Sequence, residues 1–335
     1  LPDWRSPSCG LYSRIAERAR REGDADLAEC PGLVFALSHF RRDPTLFYRA
    51  VREHCLWPGT AAAVAEASAA DDDDDDQNEA GDQEDDDAKS NTKRKKPKHK
   101  NLRLPPQLYK PTAAHFLLAS LEKRGLLLRA YSQNVDGLEF EAGCSEGKIV
   151  QAHGGFREAH CAACGRAASP YAVMQALASD GEGGAEEEEE EEVPRCDACG
   201  ERAVKPAVVL FGERLPARFH RLRLSDLPQC ELLLVLGTAL AVEPFASLLN
   251  AVPTTCPRVL VNRCEVRQCE EEGEGGGFVF AKQGPCRDVA VLGECDDGCL
   301  ALAEALGGAA MREEVERGWR GKGGGGGGVA AAAPA

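Results

Sequence analysis

Two cysteine pairs constrain this chain more than any other feature. Cys161-Ala-Ala-Cys164 and Cys196-Asp-Ala-Cys199 are each followed at once by a glycine, Gly165 and Gly200. Two thiolates separated by two residues can face one ion, and the glycine permits the tight turn that aims backbone N–H groups at sulfur. Four thiolates make a closed tetrahedral set with no position left for a reactant, so the pattern predicts one structural zinc ion rather than a catalytic one. The stretch between the pairs is longer than in an ordinary zinc ribbon, but it contains the run of seven glutamates at 186–192; trimmed of that run, the spacing approaches a ribbon. Of the 15 cysteines, only these four form tight pairs. The others, Cys30, Cys55 and Cys230 among them, lack the dense framework of a small secreted domain. That argues for a reducing compartment and for small buried side chains at the scattered positions.

The formal charge of −15 belongs to particular tracts. Of the 55 acidic residues, 19 lie at 71–87 and 186–192, and 6 of the 40 Lys+Arg lie at 93–100, leaving 36 acids against 34 bases elsewhere. A nearly neutral body gives no ground for a cationic partner or for direct nucleic-acid binding. The basic patch at 93–100 reads as a nuclear import patch or a solvated linker, its field offset by the acidic run before it. No stretch approaches eighteen uninterrupted apolar residues, so no membrane span is predicted and a soluble protein is expected. The chain opens Leu1-Pro2-Asp3, with neither an initiator Met nor a charged-then-apolar leader. It reads as a fragment lacking its true N-terminus and without a signal peptide.

Asp43-Pro44 followed by Leu46, Phe47, Ala50 and Val51 predicts a capped helix, and residues 33–40 a short one before it. Residues from about 60 to 100 have no hydrophobic period and are expected to be disordered. From 112 to 124 a cap, helically spaced apolar residues and Gly125 predict a helix, with 126–131 a buried strand after it. Residues 208–211, 232–236 and 259–261 are short apolar runs bounded by turn residues and read as central strands of a parallel sheet. A strand at 289–292 and a helix at 300–306 follow. Strands alternating with helices predict an α/β fold.

Polar residues gather at the C-terminal ends of these strands, the edge where open α/β sheets bind ligands. Gln133, Asn134 and Asp136 follow the first, Gly237, Thr238 and Ala239 another, Asn262 and Arg263 a third, and Gly293 to Cys295 the last. Such groups can hydrogen-bond a ribose and an amide. The only G-x-G-x-x-G match is the terminal glycine run, which follows no strand, so a hydride-transferring dehydrogenase is not expected. His153 lies between Ala152 and Gly154-Gly155, just before the first cysteine pair. A lone histidine is more often structural than catalytic, and the residues alone leave both readings open.

Taken in order, Asp3-Trp4-Arg5-Ser6-Pro7, 131–139, Ala152 to Gly155, the four cysteines, Lys205-Pro206 through Phe211-Gly212-Glu213, Gly237-Thr238 and the segment from Arg287 to Leu302 resemble the sirtuins, with the C-terminal part similar to their class I branch. The resemblance covers the chain apart from its inserts and tail. It implies an NAD-dependent protein-lysine deacylase with a Rossmann-like parallel-sheet domain and a smaller zinc-ribbon plus helical domain. The expected division is 1–30, 105–158 and 203–310 for the Rossmann-like body, 31–58 for a helical module and 159–202 for the zinc module. Disordered segments are expected at 59–104 and 311–335.

The same resemblance implies site roles. His153 would be the base, with Asn134 and Asp136 beside it in catalysis. Asp3, Trp4, Arg5, Gln133, Asn134, Val135, Asp136, Gly237, Thr238, Ala239, Asn262, Arg263, Cys264 and Cys295 would bind NAD. Cys161, Cys164, Cys196 and Cys199 would hold zinc. Val208, Val209, Leu210, Phe211, Gly212 and Glu213 would pair with the substrate peptide as an added strand. Implied partners are acylated lysines on proteins such as histone tails or tubulin, and the implied compartment is cytoplasmic, nuclear or both.

The family's Gly-Ala-Gly-Ile-Ser loop, which supplies N–H groups to a pyrophosphate, is not in the chain. Ala239 stands where the family usually has Ser, and one lost hydrogen bond weakens binding by about 1 kcal/mol. Trp4 keeps an aromatic where Phe is usual, and Val135 replaces Ile. An NAD-dependent mono-ADP-ribosyltransferase and a non-catalytic zinc-ribbon scaffold are the competing readings.

Overall fold

A computed structural model describes residues 10–55, 110–178, 193–266, 277–280 and 286–321. The tracts at 71–87, 93–100, 186–192 and 323–328, all expected to be unstructured or low in complexity, lie outside these residues, as do Asp3, Trp4 and Arg5. In chain order the helices are α1 (Leu11–Glu22), α2 (Ala25–Glu29), α3 (Leu37–Arg42), α4 (Thr45–Cys55), α5 (Ala113–Lys123), α6 (Leu138–Glu141), α7 (Pro170–Ala178), α8 (Ala217–Asp226) and α9 (Cys295–Gly321). The strands are β1 (Ala130–Ser132), β2 (Ile149–Gln151), β3 (Ala159–Cys161), β4 (Ala167–Ala168), β5 (Val204–Pro206), β6 (Leu233–Leu236), β7 (Arg258–Asn262) and β8 (Asp288–Leu292). The fold is α/β, and the chain divides into two compact units, one from Leu1–Leu108 with Phe156–Glu213, the other from Tyr109–Gly155 with Arg214–Ala335.

The first unit packs helices and the cysteine module around one core. Leu11, Ile15 and Ala19 recur at helical spacing along α1 and are buried with Leu27, Phe35, Phe47 and Val51. Residues 11–29, grouped on sequence with the Rossmann-like body, therefore pack here, because their apolar face meets the α4 aromatics. Asp43 accepts the Thr45 amide at 3.0 Å, which caps α4 as expected. Residues 33–40 are not one helix. A 3₁₀ turn at Pro31–Phe35 gives way to extended Ala36 before α3 starts. The break lets this backbone pair with Phe211, which donates to Phe35 O at 2.8 Å and accepts from Leu37 N at 3.0 Å.

That pairing also corrects the strand expected at 208–211. The strand here is β5, antiparallel to β3, with β4 on the other side of β3. Cys161, Cys196, Val173 and Leu177 join the same core, so the cysteine module and the helices share their apolar interior. Cys30 is exposed, against expectation, while among the described residues Cys144, Cys256 and Cys299 are the buried thiols outside the pairs.

In the second unit β6, β7 and β8 run parallel in that order, and β1 pairs parallel with β2. The expected strand at 126–131 shrinks to β1. The amides of Leu126 and Leu127 turn back to Leu121 O to close the end of α5, and the side chains of Leu126 and Leu128 point outward, 61% and 41% exposed.

The helix expected at 300–306 is part of the longer α9. It passes a non-helical residue at Gly308 and continues to Gly321, so the tail expected to be disordered from 311 is helical for its first eleven residues. Met311 and Val315, one turn apart, bury against Phe116 and Leu117 of α5. Among the described residues no helix is long and apolar enough to cross a membrane.

At the base of the sheet, Arg258 and Asp288 face each other in register with side chains 1% exposed, and Asp288 also accepts the Val279 amide at 2.7 Å. Burial would raise the Asp288 carboxyl, but the bonds from Arg258 and Val279 outweigh it and hold the group below its usual range.

Candidate active site and metal centre

The C-terminal ends of the second unit's parallel strands carry a connected set of polar side chains. The loop after β1 begins at Gln133. The loop after β2 carries His153 between buried Ala152 and Gly154, whose φ of +68° lets the chain turn directly after the imidazole. His153 Nδ1 lies 3.0 Å from the Gln133 carbonyl. A carbonyl only accepts, so Nδ1 carries a proton, and in the neutral imidazole the lone pair is on Nε2. The imidazole is half-buried, 6.5 Å from the ring centre of Phe245.

Gln133 also joins the loop after β6. Thr238 Oγ1 donates to Gln133 Oε1 at 2.9 Å and accepts from Leu240 N at 3.1 Å. Leu240 has φ +47°, the one left-handed non-glycine residue among the described residues, and the Thr238 bond helps to hold it there. After β7, Asn262 Nδ2 donates to Cys264 O at 3.0 Å and to Thr238 O at 3.4 Å. After β8, the Gly293 amide donates to Asn262 O at 3.0 Å. A side chain at Gly237 would lie 3.7 Å from Cys295 Sγ at the start of α9. Exposed Arg263 pairs with Glu294 at 3.0 Å.

Gln133, His153, Gly237, Thr238, Asn262, Cys264 and Cys295 thus come together, with Ala239 exposed beside Thr238. Asn134 is exposed, its amide bonded to Ser132 Oγ at 3.2 Å; Val135 is half-buried, and Asp136 Oδ1 accepts the Leu138 amide at 3.1 Å.

Two neighbours of Asp136 carry groups that sequence reasoning did not single out. The ligand atoms of His115, Asp136 and Glu139 lie within 4.8 Å of one another. Burial lowers the His115 pKa and raises that of Glu139. The spacing Thr112-x-x-His115 was a usable signal, since the ring accepts the Thr112 amide at 3.1 Å in a capping arrangement.

The cysteine cluster belongs to the first unit. Cys161 Sγ lies 3.7 Å from Cys199 Sγ, and Cys164 Sγ 3.6 Å from Cys196 Sγ. Sulfurs on a tetrahedron with metal–sulfur distances of about 2.3 Å stand about 3.8 Å apart, so the cluster fits one zinc ion. Gly165 and Gly200, at φ +72° and +76°, close matching turns by donating to Cys161 O and Cys196 O, each at 2.8 Å. The amides of Ala198 and Cys199 pull the Cys196 thiol down to about 7, while the neighbouring thiols push Cys199 up to about 12.

The 208–213 segment also lies in the first unit, and its backbone is partly used internally. Phe211 pairs with 35–37 as described, Leu210 N donates to Glu213 Oε2 at 2.7 Å, and Val208 O accepts from Lys205 at 2.6 Å. Among the described residues the backbones of Val209 and Gly212 remain unpaired, which narrows the edge a peptide could join.

A parallel-sheet body with polar strand ends thus stands in one chain with a closed four-cysteine cluster of zinc-site geometry, the combination of an α/β protein with a Cys₄ module. The chain belongs to the Sir2 family, whose model matches residues 73–244. It is similar to NAD-dependent protein deacetylase sirtuin-2 of Danio rerio, 33% identical over 321 residues that cover 94% of this chain and 66% of the relative. NAD-dependent deacetylase sir2A of Dictyostelium discoideum is 32% identical over 311 residues, 92% of this chain and 46% of the relative. NAD-dependent protein deacetylase sirtuin-3 of Mus musculus is 32% identical over 322 residues, 96% of this chain and 72% of the relative. The chain thus spans about two thirds or less of the first two relatives.

Proposed function

We propose that this protein is an NAD-dependent protein-lysine deacylase, with His153 as its general base. The observation that carries the reading is the pair of bonds from His153 Nδ1 to Gln133 O and from Thr238 Oγ1 to Gln133 Oε1. It favours the tautomer whose Nε2 can take a proton, and it links His153 to two loops at the C-terminal edge of the sheet, which supports the reading. The three relatives named above are all called NAD-dependent deacetylases, which supports the same reading.

NAD, bound as co-substrate, would supply the anomeric carbon to which the acyl oxygen is joined as nicotinamide leaves. Gln133, Asn134, Val135 and Asp136 would hold its nicotinamide half, with Asn134 and Asp136 orienting the reacting carbon. Gly237, Thr238 and Ala239 would face phosphate and ribose, Asn262, Arg263 and Cys264 the adenosine ribose, and Cys295 the adenine. Asp3, Trp4 and Arg5, outside the described residues, would contact NAD as the family resemblance implies. His153 Nε2 would take the proton of a ribose hydroxyl so that its oxygen can attack the acyl carbon. The zinc cluster has no open position and does no chemistry; it holds its module folded. Val209 and Gly212 would hydrogen-bond the substrate peptide, whose acyl-lysine would come from proteins such as histone tails or tubulin in the cytoplasm or nucleus.

Mass spectrometry of an acetyl-lysine peptide incubated with and without NAD tests this. The expected result is deacetylated peptide, nicotinamide and acetyl-ADP-ribose in equal amounts, only when NAD is present. NAD consumed onto protein while the peptide stays acetylated would replace the reading with ADP-ribosylation.

A further inference from the structure

Lys205 is a lysine only 1% exposed, and the mechanism above gives it no role. Its ammonium has three donors, and all three are engaged. They reach Pro206 O at 3.1 Å, Val208 O at 2.6 Å and Glu213 Oε2 at 3.0 Å. Glu213 Oε2 also accepts the Leu210 amide at 2.7 Å, and the Glu213 amide donates to Leu210 O at 2.9 Å. His160, across the β3–β5 pairing from Lys205, brings Nε2 to 4.0 Å from the other Glu213 oxygen. Burial lowers the Lys205 pKa, and Glu213 opposes that shift. One buried cation therefore gathers the start, middle and end of the 206–213 segment. A core lysine at this cost in desolvation needs a reason, since an apolar side chain would fill the same space without it.

We propose that Lys205 is a positioning residue for the protein substrate: with Glu213 it folds the 206–213 segment so that Val209 and Gly212 present their backbone to the peptide. This rests on the reading of that segment as the peptide's partner. Both neighbours of half-buried Val209 are tied down, Val208 through its carbonyl and Leu210 through its amide, so Val209 between them is held in one conformation. Ordering the edge before binding removes an entropic cost from peptide association. NAD contacts lie in other loops and do not depend on it.

The test is steady-state kinetics of the full-length protein, varying acetyl-lysine peptide and NAD separately, for Lys205→Met, Lys205→Arg, Glu213→Gln and Val209→Pro. Zinc content and thermal melting are measured alongside. Lys205→Met should raise the KM for peptide by about tenfold or more and leave the KM for NAD within about twofold. Lys205→Arg should restore most of the loss, because a guanidinium can reach the same acceptors. Glu213→Gln should shift the peptide KM in the same direction, and it carries the test if Lys205→Met does not fold. Val209→Pro, which deletes the amide offered to the peptide, tests the underlying reading by itself. If it raises the peptide KM and folded Lys205→Met or Glu213→Gln does not, the role of Lys205 is overturned and the segment's role stands. If Val209→Pro has no effect, the segment is not the peptide's partner, and both fall.

Discussion

Replacing Asp288 by alanine would leave the Arg258 guanidinium buried without its counter-charge. Both side chains are 1% exposed, and Arg258 is further held by Leu249 O and Gly277 O, each at 3.2 Å, so it cannot swing out to water without breaking those bonds. Removing one partner of such a pair costs about 3–5 kcal/mol. For a unit of this size each kcal/mol lowers Tm by about 2–4 °C, so the expected drop is about 6–20 °C by circular dichroism or calorimetry. The double variant Arg258→Met with Asp288→Leu should recover much of it, because no charge is stranded.

The pH dependence has a definite sign. The folded Asp288 pKa lies below its unfolded value, so its contribution is complete above about pH 4 and is lost as the pH falls through the folded pKa. The gap between wild type and Asp288→Ala should therefore narrow only in acid below about pH 4. A drop in Tm under about 2 °C, or a double variant as damaged as the two single variants summed, would refute the reasoning.

Gly298 of α9 faces β7, where an added Cβ would clash with Val261 Cγ1, so Gly298→Ala should cost about 1–3 kcal/mol by chemical denaturation. An unchanged midpoint would mean that the helix shifts freely on the sheet. Thr238→Val removes the bonds to Gln133 and Leu240 and should raise the KM for NAD by about five- to thirty-fold, with peptide KM little changed. Metal analysis should return about one zinc per chain, and Cys161→Ser or a strong chelator should unfold the first unit, whose core includes Cys161 and Cys196. Full helicity and a normal melt after complete zinc removal would count against a structural role.

Much of the fold was legible where local chemistry is decisive. The cysteine pairs with their glycines, the Asp43 cap on α4 and the apolar strands at 233–236, 258–262 and 288–292 all follow from short-range rules. The failures are long-range. Whether residues 126–129 extend as a strand depends on how α5 ends, and Leu126 and Leu127 give their amides to Leu121 O. Phe211 sits in an apolar run, yet its backbone is claimed by Phe35 and Leu37, which are distant in sequence. Residues from 311 read as a disordered tail rich in glycine and alanine, although Met311 and Val315 repeat at one helical turn and Gly318 leaves room for the Phe116 ring. In the candidate site, single residues such as His153 and Thr238 were visible at strand ends, but Gln133 as the junction between them was not. Lys205 escaped because burial of a lysine cannot be read from a motif.

The account rests most directly on His153 Nε2 as the base. The decisive measurement is the rate of acetyl-lysine peptide deacetylation with saturating NAD for wild type and His153→Ala, each checked for zinc content and Tm. The account predicts a loss of about 10²–10⁴-fold in rate with both checks unchanged. A folded, zinc-loaded His153→Ala protein that retains its rate within about tenfold would contradict it.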